Sequence, residues 1–374
     1  MTNNNDNAER RAQQQLITDA VTAFARRELS PAAMRPGTIS RKRWQGLAEL
    51  GLMAMLLPDE AGGLGLKIGD LVPALEALGK PLLREPLVAS SVLAGSLLVG
   101  VARNAKAADL LEQLAAGALL AGVAWQETYR LEGDHIKTTL ASDAHGHVLS
   151  GRKVLVVPGS EADGLLVSAN ADGKTALVWV SVDAEGVRAE NGRTADGGAV
   201  ATFHFDNVKI DAADILSTDA ADVLAQSLQV ATIAASAELL GLIRGAMDIT
   251  MDYLRTRKQF NKTIGSFQSL QHRAADLFIQ QELSAVAISR AAADFEAAAT
   301  AQERATAASR AKARLSSAAL IVTKEAIQMH GGIGYTDEHD IGLYLKRTLT
   351  LSAWLGNAAE HRARFAELTM DEAA

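Results

Sequence analysis

The runs Tyr253-Leu-Arg-Thr-Arg-Lys-Gln-Phe260, Ile264-Gly-Ser-Phe-Gln268 and, further on, Gln328-Met-His-Gly-Gly-Ile-Gly-Tyr-Thr336 decide how the rest of this chain is read. The first closes a long helical stretch with a cluster of cations, Arg255, Arg257 and Lys258, with Lys262 close behind. A guanidinium presents a fork of donors that matches a pyrophosphate. Taken alone, such a cluster reads as a solvated helix end. The third run places Gly331, Gly332 and Gly334 where a helical pattern has to break into a loop.

Outward from these runs, the period of the apolar residues changes twice. From about Ala12 to Gly117 it is helical: Leu16, Val21, Phe24 and Ala25 recur at helix spacing, and Leu47, Leu50, Leu52 and Met55 lead to the turn Pro58-Asp-Glu-Ala-Gly-Gly-Leu-Gly65. Asp70 to Gly79 resumes the helical spacing, with Leu71, Leu75 and Leu78 on one face. From about Leu119 short β-rich runs follow, at 121–125, 147–149, 154–157, 165–169, 176–180 and 201–205, separated by Asp, Gly and Asn. Their spacing predicts a small antiparallel barrel or sandwich, with Phe203, Phe205 and Val208 in the final strand. From about Ala220 the helical period returns, with Val230, Ile233, Ala237 and Leu240 on one buried stripe. Helices, strands, then helices indicate an α+β chain of three segregated domains, 1–118, 119–216 and 217–374.

Composition narrows the function. The 374 residues are 48% hydrophobic and 22% charged, an ordinary balance for two or three domains sharing a sizeable interior. A net charge of −7, with only short basic runs such as Arg41-Lys-Arg43, argues against a nucleic-acid surface. With no cysteine, disulfides, thiolate metal sites and cysteine nucleophiles are excluded, and the compartment read from this is cytoplasmic. The amino terminus lacks the basic-then-apolar order of an export signal. Pro86 to Ala102 is apolar but interrupted by serines and glycines, and reads as a buried helix pair rather than a membrane helix. His135, His145, His147 and His330 lack the spacing of a metal site and read as surface imidazoles. No Gly-x-Ser-x-Gly elbow or Walker-type loop is present.

Taken jointly, Arg-x-Gln-Phe, Ile-Gly-x-Phe-Gln and Gln-x-His-Gly-Gly-x-Gly-Tyr resemble the acyl-CoA dehydrogenase family. The likeness extends over nearly the whole chain. Trp44-Gln-Gly-Leu-Ala-Glu-Leu-Gly-Leu52 and Pro58–Gly65 are similar to its amino-terminal helical domain, and Leu149-Ser-Gly-Arg-Lys153 with Ala162-Asp163 to its middle β domain. The resemblance implies an amino-terminal helical domain, a middle β-barrel domain and a carboxy-terminal four-helix bundle for FAD binding and oligomerisation. It implies that Arg257, Phe260, Gln268, Gln328, Gly331 and Gly332 face FAD, mainly that of a neighbouring subunit. Glycines suit that role, because without a Cβ the backbone N–H groups come close to a diphosphate.

The departures are equally informative. The family's reaction removes a proton α to a thioester while a hydride leaves the β carbon for the flavin, and the proton needs a positioned carboxylate. Here Glu-Gly-Thr becomes Leu355-Gly356-Asn357, and the less common base position falls near Ala231. Neither side chain accepts a proton. Glu238 lies about two helical turns beyond Ala231 and reads better as a buried glutamate paired to an arginine. Glu360 would require a shifted loop. Trp125–Glu132 replaces the Thr-Glu-Pro and Gly-Ser-Asp pattern that touches flavin and thioester, Leu155 stands where a tryptophan often packs on the flavin ring, and an arginine-proline pair near Thr232 is missing.

Within the family, the tail Tyr344–Arg362 is most similar to the small or β subunits of heteromeric dehydrogenases, including the small subunit of pimeloyl-CoA dehydrogenase and base-lacking members of steroid side-chain pairs. The resemblance therefore implies an FAD-sharing subunit of an α2β2 heteromer whose homologous partner supplies the glutamate and the acyl-CoA pocket, with electron-transfer flavoprotein as acceptor. Two alternatives stand beside it: a homo-oligomeric flavoenzyme using Glu238, Glu360 or oxygen-activating flavin chemistry, and a flavin-free structural subunit.

Overall fold

The computed structural model describes residues 2–29, 35, 37–130, 136–143 and 146–370. It has amino-terminal helices, a central mixed sheet and a carboxy-terminal helical bundle. Packing divides the chain into two compact units, one of residues 1–35, 68–83 and 232–374, the other of residues 36–67 and 84–231.

In the first unit, α1 (Thr2–Glu28) and α3 (Ile68–Gly79) accompany the helices α6 (Ala221–Thr256, from residue 232), α7 (Gln268–Ala297), α8 (Ala301–His330), α9 (Ile341–Ala353) and α10 (Ala358–Met370). Val21, Phe24 and Ala25 on α1 are buried as their spacing predicts, whereas Leu16 points outward at 71% exposure. α8 begins with a capping box, in which the Thr300 side chain accepts from Glu303 N while the Glu303 side chain accepts from Thr300 N, satisfying two otherwise unpaired donors.

α6 departs most from its sequence reading. Ile233, Ala237 and Leu240 are buried but Val230 is only half-buried, and the helix has no polar face from Ala231 to Ile243, where every residue is buried. It is also long and apolar enough to cross a membrane, but 89% of its most apolar window lies inside the protein. That burial identifies it as a core helix. Close approach makes it possible: a Cβ added at Gly241 would meet Glu76 O of α3 at 2.3 Å and Gly79 Cα at 2.8 Å.

In the second unit, α2 (Arg41–Glu49) buries Trp44 and Leu47. The helix predicted to continue through Leu52 and Met55 ends at Glu49, and those two residues are buried in the turns that follow. Pro86–Ala102 is a single continuous segment rather than a helix pair: a π-helical stretch, Leu87–Leu93, runs directly into α4 (Ala94–Gly100). Asn104 caps α5 (Ala105–Ala115) by accepting from Lys106 N and Ala107 N.

The strands of this unit are β1 (Ala121–Ala124), β2 (Thr139–Asp143), β3 (Gly146–Val156), β4 (Gly164–Ala171), β5 (Lys174–Ser181), β6 (Val187–Arg193), β7 (Ala199–Ile210) and β8 (Ile215–Ser217). They form one sheet in the order β6-β7-β3-β2-β4-β5-β8, with β1 also on β4. The sheet is mixed, not antiparallel throughout, because β1 and β2 both run parallel to β4. The run 147–149 and residues 154–156 belong to one strand, β3, whose register against β7 shifts between Leu149 and Gly151 and again, at a bulge, between Lys153 and Val156. Leu155 sits in that bulge with φ +54°. β7 is not the last strand, since short β8 intervenes before α6. Leu149, Leu165, Val167, Val178, Phe203 and Phe205 form the centre of the sheet's core.

The glycine contact inside the first unit is directly testable. Gly241→Ala is expected to cost about 2 kcal/mol by overpacking α3 against α6. Gly342→Ala, where an added methyl meets nothing within 4 Å, is expected to gain about 0.5 kcal/mol. Chemical denaturation of both variants checks this, and equal effects would refute the close-approach reading.

Candidate functional site

The helical unit carries the candidate residues, Ala231 excepted, in two places. The first is a hairpin at the end of α6. Arg257 N donates to Tyr253 O, and β9 (Lys258–Gln259) then pairs antiparallel with β10 (Lys262–Thr263). The two residues between them, Phe260 and Asn261, both have positive φ, +52° and +63°. This is the backbone of a tight two-residue hairpin turn, normally given to Asn and Gly. An aromatic residue held there is strained by about 1–3 kcal/mol. Phe260 is also 86% exposed, meeting Phe267 edge-on with ring centroids 6.1 Å apart. Lys262 lies over the other ring, its Nζ 4.3 Å from the Phe267 centroid. Arg257 and Gln268 are exposed, and among the described residues Arg257 has no ionic partner.

The glycine turn at the end of α8 lies in the same unit. Gly331 takes φ +66° and ψ −144°, a region essentially restricted to glycine, and its N–H donates to Gln328 O. A Cβ added at Gly331 or Gly332 would meet nothing within 4 Å, so the backbone there faces open space. Gly334 is packed, with Ile327 O 2.7 Å from the position of an added Cβ. The exposed Gln328 side chain accepts from Tyr335 Oη at 3.5 Å. The residues therefore fit a diphosphate-bearing cofactor: an arginine, two exposed amides and an uncluttered glycine backbone.

His330 is buried, contrary to its reading as a surface imidazole. Its Nδ1 bonds Ala326 O at 2.7 Å, and its ring stacks on Tyr253 at 4.6 Å and lies 4.4 Å from His339. Burial, helped by the neighbouring His339, pushes its pKa down. His147 is half-buried and bonds Ser142 Oγ, while His135 and His145 lie outside the described residues. Among the described residues no group of three or more His, Asp or Glu side chains is placed to hold a metal.

The second place is the turn between α9 and α10. Leu355 is 4% exposed with φ +61°, and Gly356 follows with φ +99°. A left-handed leucine costs about 1–2 kcal/mol. Asn357 caps α10, its Oδ1 accepting from Ala359 N and Glu360 N, while Glu360 Oε2 accepts from Asn357 N at 2.8 Å. Glu360 is thus engaged in holding the helix start. Glu238 is buried and held by Arg347, whose Nε and Nη2 both donate to its Oε1, at 2.9 and 2.6 Å. Ala231 is fully buried and contributes only a methyl group.

Two groups beneath this turn went unnoticed in the sequence. Lys312 is fully buried and donates to Leu351 O; burial pushes its ammonium down to about 7, against the opposing pull of Glu238. It occupies the same stripe of α8 as Ala305, Ala308, Leu315, Ala319 and Val322, and a lysine inside that stripe was the available signal. His361 is also buried and donates from Nε2 to Leu355 O at 2.8 Å; burial pushes its pKa down to about 4.

The sheet unit has its own buried cation. Lys153 Nζ donates to Glu127 Oε1 at 2.8 Å, Ser168 Oγ at 3.1 Å and Trp125 O at 3.3 Å. Burial lowers it to about 8 although Glu127 opposes this. Burial pushes the Glu127 carboxyl up, but Lys153 and the N–H groups of Thr138 and Lys137 outweigh it and hold the group below the usual range. The pair ties residues 125–127 to the start of β2; Leu131 and Glu132 of the departing segment lie outside the described residues.

A family model described as "Acyl-CoA dehydrogenase, C-terminal domain" matches residues 221–369, and one described as "Acyl-CoA dehydrogenase, N-terminal domain" matches residues 11–118. The chain is 31% identical over 362 residues to "Acyl-CoA dehydrogenase IpdE2" of Mycolicibacterium smegmatis, covering 94% of this chain and 97% of that one. A chain of the ChsE4-ChsE5 complex from Mycobacterium tuberculosis superposes with a TM-score of 0.84 at 25% identity, covering 95% and 96% of the two chains. A chain of the Tcur3481-Tcur3483 steroid ACAD, in a variant form, superposes with a TM-score of 0.83 at 29% identity, covering 98% and 99%.

The buried imidazole under the turn gives a signed pH effect. His361 titrates near 4 when folded and near 6.5 when unfolded, so between these values the unfolded chain holds more protons and stability rises with pH. Acidification from pH 6.5 to 4 is expected to remove up to about 3 kcal/mol through this group. Urea unfolding of the wild type and His361→Gln across that range tests the effect. The variant should lose less stability on acidification, and parallel profiles would refute the assignment.

Proposed function

The chain belongs to the acyl-CoA dehydrogenase family, and from that premise we propose that it is the base-lacking, FAD-sharing subunit of a cytoplasmic α2β2 heteromer. The reaction would be α,β-dehydrogenation of an acyl-CoA thioester. FAD is the cofactor of the family, and when bound it would supply the acceptor for the hydride leaving the β carbon. In this reading Arg257 and the backbone at Gly331 and Gly332 hold the diphosphate, with Gln268, Gln328 and Phe260 around it.

The observation that carries the proposal is hydrocarbon at both base positions, Leu355 and Ala231, while the neighbouring carboxylates are engaged elsewhere. Glu238 is held by Arg347, and Glu360 caps α10. Removing a proton α to a thioester demands an ionised oxygen aimed at it, and a homologous partner chain is the economical source. The outward display of Arg257, Phe260, Gln268, Gln328 and Gly332 supports a site completed by a second chain. So does the outward face of α7, where Phe278, Ile279, Leu283 and Val286 are each more than half exposed. The ChsE4-ChsE5 and Tcur3481-Tcur3483 proteins, each named as a pair, are compatible precedents, and electron-transfer flavoprotein is the acceptor we assign.

Two measurements test this. Purified alone, the chain is expected to desaturate no CoA thioester; co-expressed with a homologous dehydrogenase chain carrying the glutamate, it should co-purify, bring flavin and turn over. Normal turnover by the isolated chain would sink the heteromer, and a colourless, inactive co-complex would favour the flavin-free structural role. In the complex, Arg257→Ala should weaken FAD retention by about tenfold or more, the loss of a charge-assisted bond, with thermal stability of the apoprotein unchanged. Unaltered flavin content after dialysis would remove Arg257 from the site.

A further inference from the structure

The turn that carries position 355 is held by groups outside it. Leu355 and Gly356 are consecutive left-handed residues, a conformation glycine adopts freely and leucine does not. The Leu355 side chain, being hydrocarbon, offers no hydrogen bond to fix it. The carbonyls of Leu351, one turn earlier, and of Leu355 itself are the groups that are held. Lys312 Nζ, reaching across from α8, donates to Leu351 O in the last turn of α9, where helix carbonyls lack intrahelical donors and the macrodipole favours a cation. His361 Nε2, from the first turn of α10, donates to Leu355 O. Both side chains are buried, Lys312 completely, although an ammonium on an apolar stripe is costly to bury. Keeping it there requires a return, and the end of α9 is what it holds.

We propose that Lys312 and His361 are positioning residues, a two-point clamp that holds the backbone at position 355 in a left-handed conformation that its own leucine disfavours. Placement and chemistry at this position are therefore separable: the chain keeps the placement and lacks the carboxylate. The clamp stands on the turn's geometry, whereas its bearing on catalysis rests on the proposed reading of position 355.

The test is a double-mutant cycle on the full chain with Lys312→Met, Leu355→Gly and the pair, read by thermal unfolding. If the clamp holds the left-handed leucine, Lys312→Met lowers Tm by at least about 2 °C more in the wild-type background than in the Leu355→Gly background. Lys312→Arg, which keeps a cation and its donors, should recover most of the loss. Hydrogen exchange adds a local readout: the Gly356 amide, which donates to Ala353 O, should exchange about tenfold faster in Lys312→Met, with α7 unchanged. Additive Tm changes, or a uniform rise in exchange across the unit, would overturn the clamp. Should Lys312→Met alone fail to fold, folding of the double variant supports the clamp and failure of both overturns it. None of these readouts uses flavin or turnover, so a failed clamp leaves the heteromer standing and a failed heteromer leaves the clamp standing.

Discussion

A helix with no polar face has to be enclosed by protein, and the stretch of α6 from Thr232 to Ile243 imposes that requirement on the helical unit. Leaving that apolar surface in water costs roughly 25 cal/mol for each Å². Neighbours therefore have to come close on every side, which small residues permit: Gly241 against Gly79 brings α3 to within backbone contact. The one carboxylate buried in this stretch, Glu238, is tolerated because Arg347 of α9 meets it with two donors on one oxygen. Removing either partner would leave a buried charge without its counterpart, which costs far more than the pair itself contributes.

From that enclosed helix the chemistry is carried to the ends of the bundle. α6 ends in a hairpin that presents Phe260 to the outside in a backbone conformation aromatic residues avoid. α8 ends in a glycine turn whose backbone faces open space. α9 ends in a turn whose carbonyls are bonded by buried side chains of α8 and α10. Strain tolerated at two such places, Phe260 and Leu355, is the kind that a surrounding structure has to over-determine. At the hairpin the strained residue is exposed; at Leu355 it is buried.

Much of this was legible in the sequence. The change of period near residues 119 and 220 marks the sheet, because alternation and helical spacing bury different residues. The Arg257, Phe260, Gln268, Gln328, Gly331 and Gly332 pattern carries the family resemblance, and positions 355 and 231 are visibly hydrocarbon, a leucine and an alanine. Other features were misread for identifiable reasons. Strand β3 looked like two strands because the polar run Ser150-Gly-Arg-Lys153, with a register shift between Leu149 and Gly151, interrupts the apolar pattern, and the sheet looked antiparallel because strand direction leaves no mark on the residue pattern. His330 looked like a surface residue because an imidazole's burial depends on rings from distant segments, Tyr253 and His339.

Sequence by itself determined the family, the order of helix and strand, and the absence of an ionisable side chain at positions 231 and 355, since all of these are properties of residue type and spacing along the chain. Tertiary structure alone decided that the arginine paired to the buried Glu238 is Arg347, that Glu360 is a helix cap, and that Lys312 and His361 bond the backbone at the turn of Leu355. A hydrogen bond reaches about 3 Å and has direction. Residues 39 or 109 positions apart, as Lys312 is from Leu351 and Glu238 from Arg347, enter that range only once the helices carrying them have packed.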